Sequence, residues 1–135
     1  MTAESKLMCG VILITIPSIE YGGYFLLNVL SGNLRKVELN GFQKAMFRAG
    51  HAHAGVIVIL SLICQLLADH TALPLQLTWF ARASVPTSAL LISAGFFFSA
   101  MDKDAMRPNK LIALIYFGAL LLAAGLITLG VGLLL

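Results

Sequence analysis

Apolar residues fill this chain in four long blocks, about 7–30, 44–67, 78–101 and 111–135, separated by short polar stretches. At about 1.5 Å per residue, each block is long enough to cross a hydrocarbon core of about 30 Å. Lipid offers no water to satisfy backbone N–H and C=O groups, so each block is expected to be a helix. The connections 31–43, 68–77 and 102–110 are short, which predicts antiparallel packing of consecutive helices. The expected fold is therefore all-α: one domain over 1–135, an integral-membrane four-helix bundle with up-down topology.

Composition supports the same solvent. Of 135 residues, 59% are hydrophobic and 11% charged, with a mean hydropathy of +0.93. Soluble domains carry about 25% charged residues, so this chain could not cover its surface in water. The expected location is the bacterial inner (plasma) membrane, and the first partner is the lipid bilayer. The net charge of +3 gathers at block ends, without an aromatic-interleaved basic patch, so no nucleic-acid partner is expected. Arg35, Lys36, Lys44, Arg48, Lys103, Arg107 and Lys110 lie at the first and third connections, against Lys6 and Arg82 at the other side. That bias places those two connections in the cytoplasm and both termini outside. The first block passes Glu20 without a small-x-small cleavage site and is expected to be retained as a helix.

The candidate chemistry is a set of ionisable groups inside or beside these blocks. Glu20 lies in the first, next to Tyr21, Gly22 and Gly23 and near Tyr24. The second opens Phe-Arg-Ala-Gly-His-Ala-His-Ala-Gly, which supplies Arg48, His51 and His53. A charged group at bilayer depth costs about 2.5–3.5 kcal/mol and is kept mainly where it has a partner or a task. If the first two helices are neighbours, Glu20, His51 and His53 can share one layer. Two residues on a helix subtend about 200°, so the histidines point to nearly opposite faces.

Three readings of this group stand side by side. In the first, His51, His53, Arg48, Glu20, Tyr21 and Tyr24 bind a cofactor, either haem b or a metal ion on His51, His53 and Glu20. In the second, Glu20 and a histidine relay protons in a small transporter or channel component. In the third, the group is a satisfied structural network in an accessory subunit. His70, the remaining histidine, lies about 25 Å along the axis from His53, so bis-histidine ligation within one chain is not expected. The remaining choices are a five-coordinate haem, a Met ligand such as Met46 or Met101, or ligands from two protomers, and a homo-oligomer or a membrane-complex partner is expected. An enzyme acting alone finds no nucleophile–base pair, phosphate-binding glycine loop or zinc motif.

The run from His51 to Ile59 resembles one helix of the haem–copper oxidase catalytic-subunit superfamily, in which an early helix carries a haem-ligating histidine. The resemblance implies His51 or His53 as axial ligand, with Arg48 pairing a propionate. The three-histidine copper site and the second haem-ligand helix of that superfamily have no counterpart here, so oxygen or nitric oxide reduction is not implied. The whole pattern also resembles small four-helix bacterial membrane proteins, which adds no mechanism.

The remaining features read as scaffold. Gly118, Gly125 and Gly132 recur every seven residues, a smooth stripe for the bundle or for a second protomer. Pro17 and Pro86 should kink their helices. Arg82, beside Trp79 and Phe80, reads as an interfacial anchor, or as a partner of Asp69 across the second hairpin. Ser84, Thr87 and Ser88 are expected to bond back to carbonyls around Pro86. Cys9 and Cys64 read as small buried apolar residues, since no Cys-x-x-Cys is present.

Overall fold

The structure, a computed structural model, describes residues 1–33 and 38–135. It holds four long helices: α1 (Ala3–Leu30), α2 (Gly41–Ala68), α3 (Leu75–Ser99) and α4 (Ala113–Leu134), the last entered through a 3₁₀ turn, Lys110–Ile112. Among the described residues there is no strand. Each of the four is long and apolar enough to cross a membrane. Arg35 and Lys36, used in the charge count, lie outside the described residues.

Three helices, α1, α2 and α3, begin three to four residues before their apolar blocks, and polar caps fix the first two starts. Thr2 caps α1 by accepting from the Ser5 N–H at 3.2 Å. Asn40 and Gln43 form a reciprocal capping box on α2, with bonds of 3.0 and 3.2 Å. At the other end of α1, Gly32 adopts φ +70°, a left-handed conformation that glycine takes without a Cβ penalty. There the Asn33 N–H bonds Asn28 O and the Gly32 N–H bonds Val29 O, which closes the helix in a Schellman turn.

Packing follows chain order: α1 lies on α2, α2 on α3, and α3 on α4. α1 and α4 share no extended contact, so the bundle is open along one side. The main core joins Ile57 and Cys64 of α2, Ala81, Val85, Ala89 and Ile92 of α3, and Leu129 of α4. A smaller cluster gathers Leu26, Phe47 and Ala100, with Phe97 edge-on to Phe47 at 5.2 Å.

The glycine stripe faces inward. A Cβ on Gly118 would stand 2.8 Å from Ile92 Cγ1, and one on Gly125 would collide with Ser84 Oγ. Gly95 of α3 answers from the other side, 2.6 Å from Ile115 Cγ1 on the same construction. Gly132 meets Leu73 in the α2–α3 connection. Small residues let two helices approach closely where no hydrophobic force separates lipid from protein. The stripe therefore seats α4 on α3 and is not available to a second protomer.

Candidate functional site

One end of the molecule is held by a buried polar network around Arg82, which is 3% exposed. Its Nη2 donates to Asp69 Oδ1 at 2.7 Å, and its Nη1 donates to Ser5 Oγ at 2.6 Å and Gln65 O at 3.0 Å. Asp69 also accepts from the Thr2 N–H at 3.0 Å and the Thr2 hydroxyl at 2.7 Å. The Ser5 hydroxyl, Thr2 and Arg82, in that order of effect, hold the Asp69 carboxyl well below the usual carboxylate range. Arg82 is thus not an interfacial anchor but the centre of a knot joining α1, α2 and α3, its pairing with Asp69 included.

Gln65, fully buried, has a second task. Pro86 has no N–H, so the carbonyl four residues earlier, Arg82 O, loses its helical donor. Gln65 Nε2 donates to that carbonyl at 2.8 Å. Ser84 and Ser88 bond back to Ala81 O and Val85 O as expected around the proline, whereas Thr87 is exposed and makes no side-chain hydrogen bond to any described residue.

The groups singled out in the sequence lie toward the opposite end of α1 and α2, and most point away from the core. Glu20, Tyr21, Tyr24, Arg48 and His53 are exposed, and His51 is half-buried. His51 faces α1: a Cβ on Gly23 would lie 3.1 Å from its Nε2 and Cε1, and one on Gly22 3.7 Å from its Nδ1. The Gly-Gly pair is therefore the seat of the imidazole. His53 faces α3, with its ring 4.9 Å from that of Phe96. Its Nδ1 lies 2.8 Å from Ala49 O. A carbonyl only accepts, so Nδ1 is the donor in this contact.

The Gly23–His51 contact brings α1 and α2 together at the histidine, but the candidate side chains around it do not converge. Among the described residues, the ion pairs are those of Asp69 with Arg82 and with the Met1 amino group. No three His, Cys, Asp or Glu side chains among them group to hold a metal ion.

Comparison of the chain with protein-family models, with curated proteins and with solved structures finds no match. Function has to be argued from the groups themselves. A haem on His51 does not fit this packing, because the macrocycle would spread across the Fe–N direction, where α1 lies against Nε2. His53 fits the requirement better. Its Nδ1–H is committed to a backbone carbonyl and its Nε2 makes no hydrogen bond to any described residue, the usual arrangement of a ligating imidazole.

A groove opens between α1, α2 and α3, with a volume of about 260 Å³. His51 lines it, together with Thr15, Ser18 and Gly22 of α1 and Ser93 and Phe97 of α3. The Thr15 and Ser18 hydroxyls are turned back to Ile12 O and Thr15 O. Ser93 Oγ is buried without a partner, and His51 makes no hydrogen bond to any described residue. Sequence reasoning passed over Gln65, Ser93 and the groove. Only Gln65 left a signal, as a lone amide in an apolar run, with the Arg82 carbonyl left unpaired by Pro86 to satisfy.

Proposed function

We propose that this chain is an integral-membrane subunit of a larger assembly, in which a second copy or another membrane protein covers the outer flank of α1. In this reading consecutive helices run antiparallel, both termini face outward and the membrane is the bacterial inner membrane. The contacts of Ser5 with Gln65 and of Gly23 with His51 support the antiparallel order of α1 and α2. The observation that carries the proposal is the exposure of Glu20, about 15 Å inside the Leu30 end of a membrane-length helix and outside every ion pair of the described residues. Left facing lipid, such a group costs about 2.5–3.5 kcal/mol, which a donor from a partner removes.

The test is the size of the particle after gentle extraction. An assembly larger than the 14.4 kDa chain is expected, with Glu20→Gln weakening it about tenfold and Glu20→Leu dispersing it. A stable lone chain whose behaviour Glu20→Leu leaves unchanged or improves would sink the proposal.

The Nε2 of His53, without a hydrogen bond to any described residue, favours a second reading, in which the assembly holds haem b or a metal ion at an interface through His53. Haem there would supply one-electron transfer. A Soret band lost in His53→Ala and kept in His51→Ala is the expected result. A colourless protein that haem and divalent metals fail to load excludes it.

A further inference from the structure

We propose that the groove between α1, α2 and α3 binds a lipid-soluble molecule bearing a carbonyl on a flat ring, a quinone-like head with an apolar tail. This stands independently of the subunit reading, because it concerns the inner flank of α1 and not the flank that carries Glu20.

Size comes first. At about 260 Å³ the groove is smaller than the clefts of about 300–1,000 Å³ that bury drug-sized molecules. It takes one ring and leaves the remainder of the ligand outside. The open side of the bundle provides the exit, with Leu90 at the rim 70% exposed. A tail leaving there runs into lipid.

Chemistry narrows the head. The lining is apolar apart from the hydroxyls and His51, and no Lys or Arg lines it. A phosphate or carboxylate head finds no counter-charge, so the head is neutral. Thr15 and Ser18 have committed their hydroxyls to backbone carbonyls. Ser93 and His51 have not. A buried hydroxyl without a partner is rare in native proteins. Ser93 lines the groove from α3 and His51 from α2, so the two uncommitted polar side chains stand on different walls of it. A hydroxyl and an imidazole, each able to donate a hydrogen bond, suit carbonyl oxygens. Phe97 supplies an aromatic surface for the ring between them.

A carbonyl on an apolar tail also occurs in the acyl esters of membrane lipids, and the experiment separates the two sources. The whole chain, purified in detergent and stripped of lipid, is titrated calorimetrically with a benzoquinone carrying a ten-carbon tail. The same tail on a carbonyl-free arene is the control. Saturable binding of one quinone per chain is expected, with the arene at least tenfold weaker. Ser93→Ala should weaken quinone binding about 2- to 12-fold, the value of one neutral hydrogen bond. His51→Phe should do at least as much, and Glu20→Gln should leave it unchanged. Circular dichroism and thermal unfolding confirm that each variant is folded. Equal, non-saturating uptake of quinone and arene overturns the proposal, as does saturable binding insensitive to both Ser93→Ala and His51→Phe. Phospholipid added in excess displaces the quinone if the natural acceptor is a lipid ester, which overturns the ring. Binding that survives the phospholipid supports it.

Discussion

Gln65 is the side chain whose loss should tell most about how this molecule tolerates polarity in its interior. It receives a bond from Arg82 Nη1 at 3.3 Å on its Oε1 and returns one to Arg82 O. Gln65→Leu strands Arg82 O, a buried unpaired group that costs about 1–3 kcal/mol, while Arg82 Nη1 keeps Ser5 Oγ and Gln65 O. Pro86→Ala restores the helical donor for Arg82 O. In that background Gln65→Leu should cost less, by a coupling of about 0.5–3 kcal/mol in thermal or denaturant unfolding. Equal costs in the two backgrounds would separate the amide from the proline. Asp69 gives the matching pH prediction. Its folded-state carboxyl titrates below its unfolded value of about 3.9, so its stabilising effect is complete above that value and declines as pH falls toward the folded one. The melting temperature should hold steady from about pH 7 to about pH 5 and fall below about pH 4, and Asp69→Asn should remove this component of the acid loss. At this scale the sequence was partly legible. Arg82 and Asp69 are thirteen residues apart across a short connection, close enough to be read as a pair. Ser5 and Thr2, about sixty-five residues from Asp69 in the chain, join it through helix packing that no local pattern reports.

Helices were the most legible part, because uninterrupted apolar length leaves lipid-solvated backbone no other solution. Their ends were less so, since Thr2 and Asn40 begin helices within polar sequence, where hydropathy carries no signal. The direction of the Gly118, Gly125 and Gly132 stripe was not legible at all. A small-residue face suits any close neighbour, and only the opposing Gly95, Ile92 and Ser84 identify α3 as that neighbour. Gly125→Leu is therefore expected to destabilise the chain itself by at least the 1–3 kcal/mol typical of overpacking, with α4 losing its seat on α3. Unfolding of the purified chain in detergent measures this. Unchanged stability with a smaller native particle would return the stripe to a partner. The histidine helix shows both outcomes at once. The angle of about 200° anticipated two separate directions for His51 and His53. It did not anticipate that Gly22 and Gly23 would receive one ring and Phe96 the other.

Across the whole molecule, stability and candidate chemistry occupy different places. One end is tied by Arg82, Asp69, Gln65 and Ser5. The other end is joined by Gln43 Nε2, which donates to Ala100 O and Asp102 O at 3.0 and 3.1 Å, and by Asn40, which reaches Ala105 O at 2.8 Å. Between the two ends α1 packs mainly on α2, and the groove and the exposed Glu20 flank it on either side. The Arg82–Asp69 pair also bears on how such a chain enters a bilayer. A lone guanidinium near the start of α3 opposes partition into lipid, but thirteen residues separate it from its carboxylate, so both leave the ribosome almost together. In the proposed antiparallel arrangement the pair forms when α2 and α3 cross as one hairpin, which would make that hairpin the unit of insertion. Asp69→Asn should then slow or misdirect integration of α3 during synthesis, visible as protease-accessible α3 in freshly made membranes, before any effect on the finished fold can be measured.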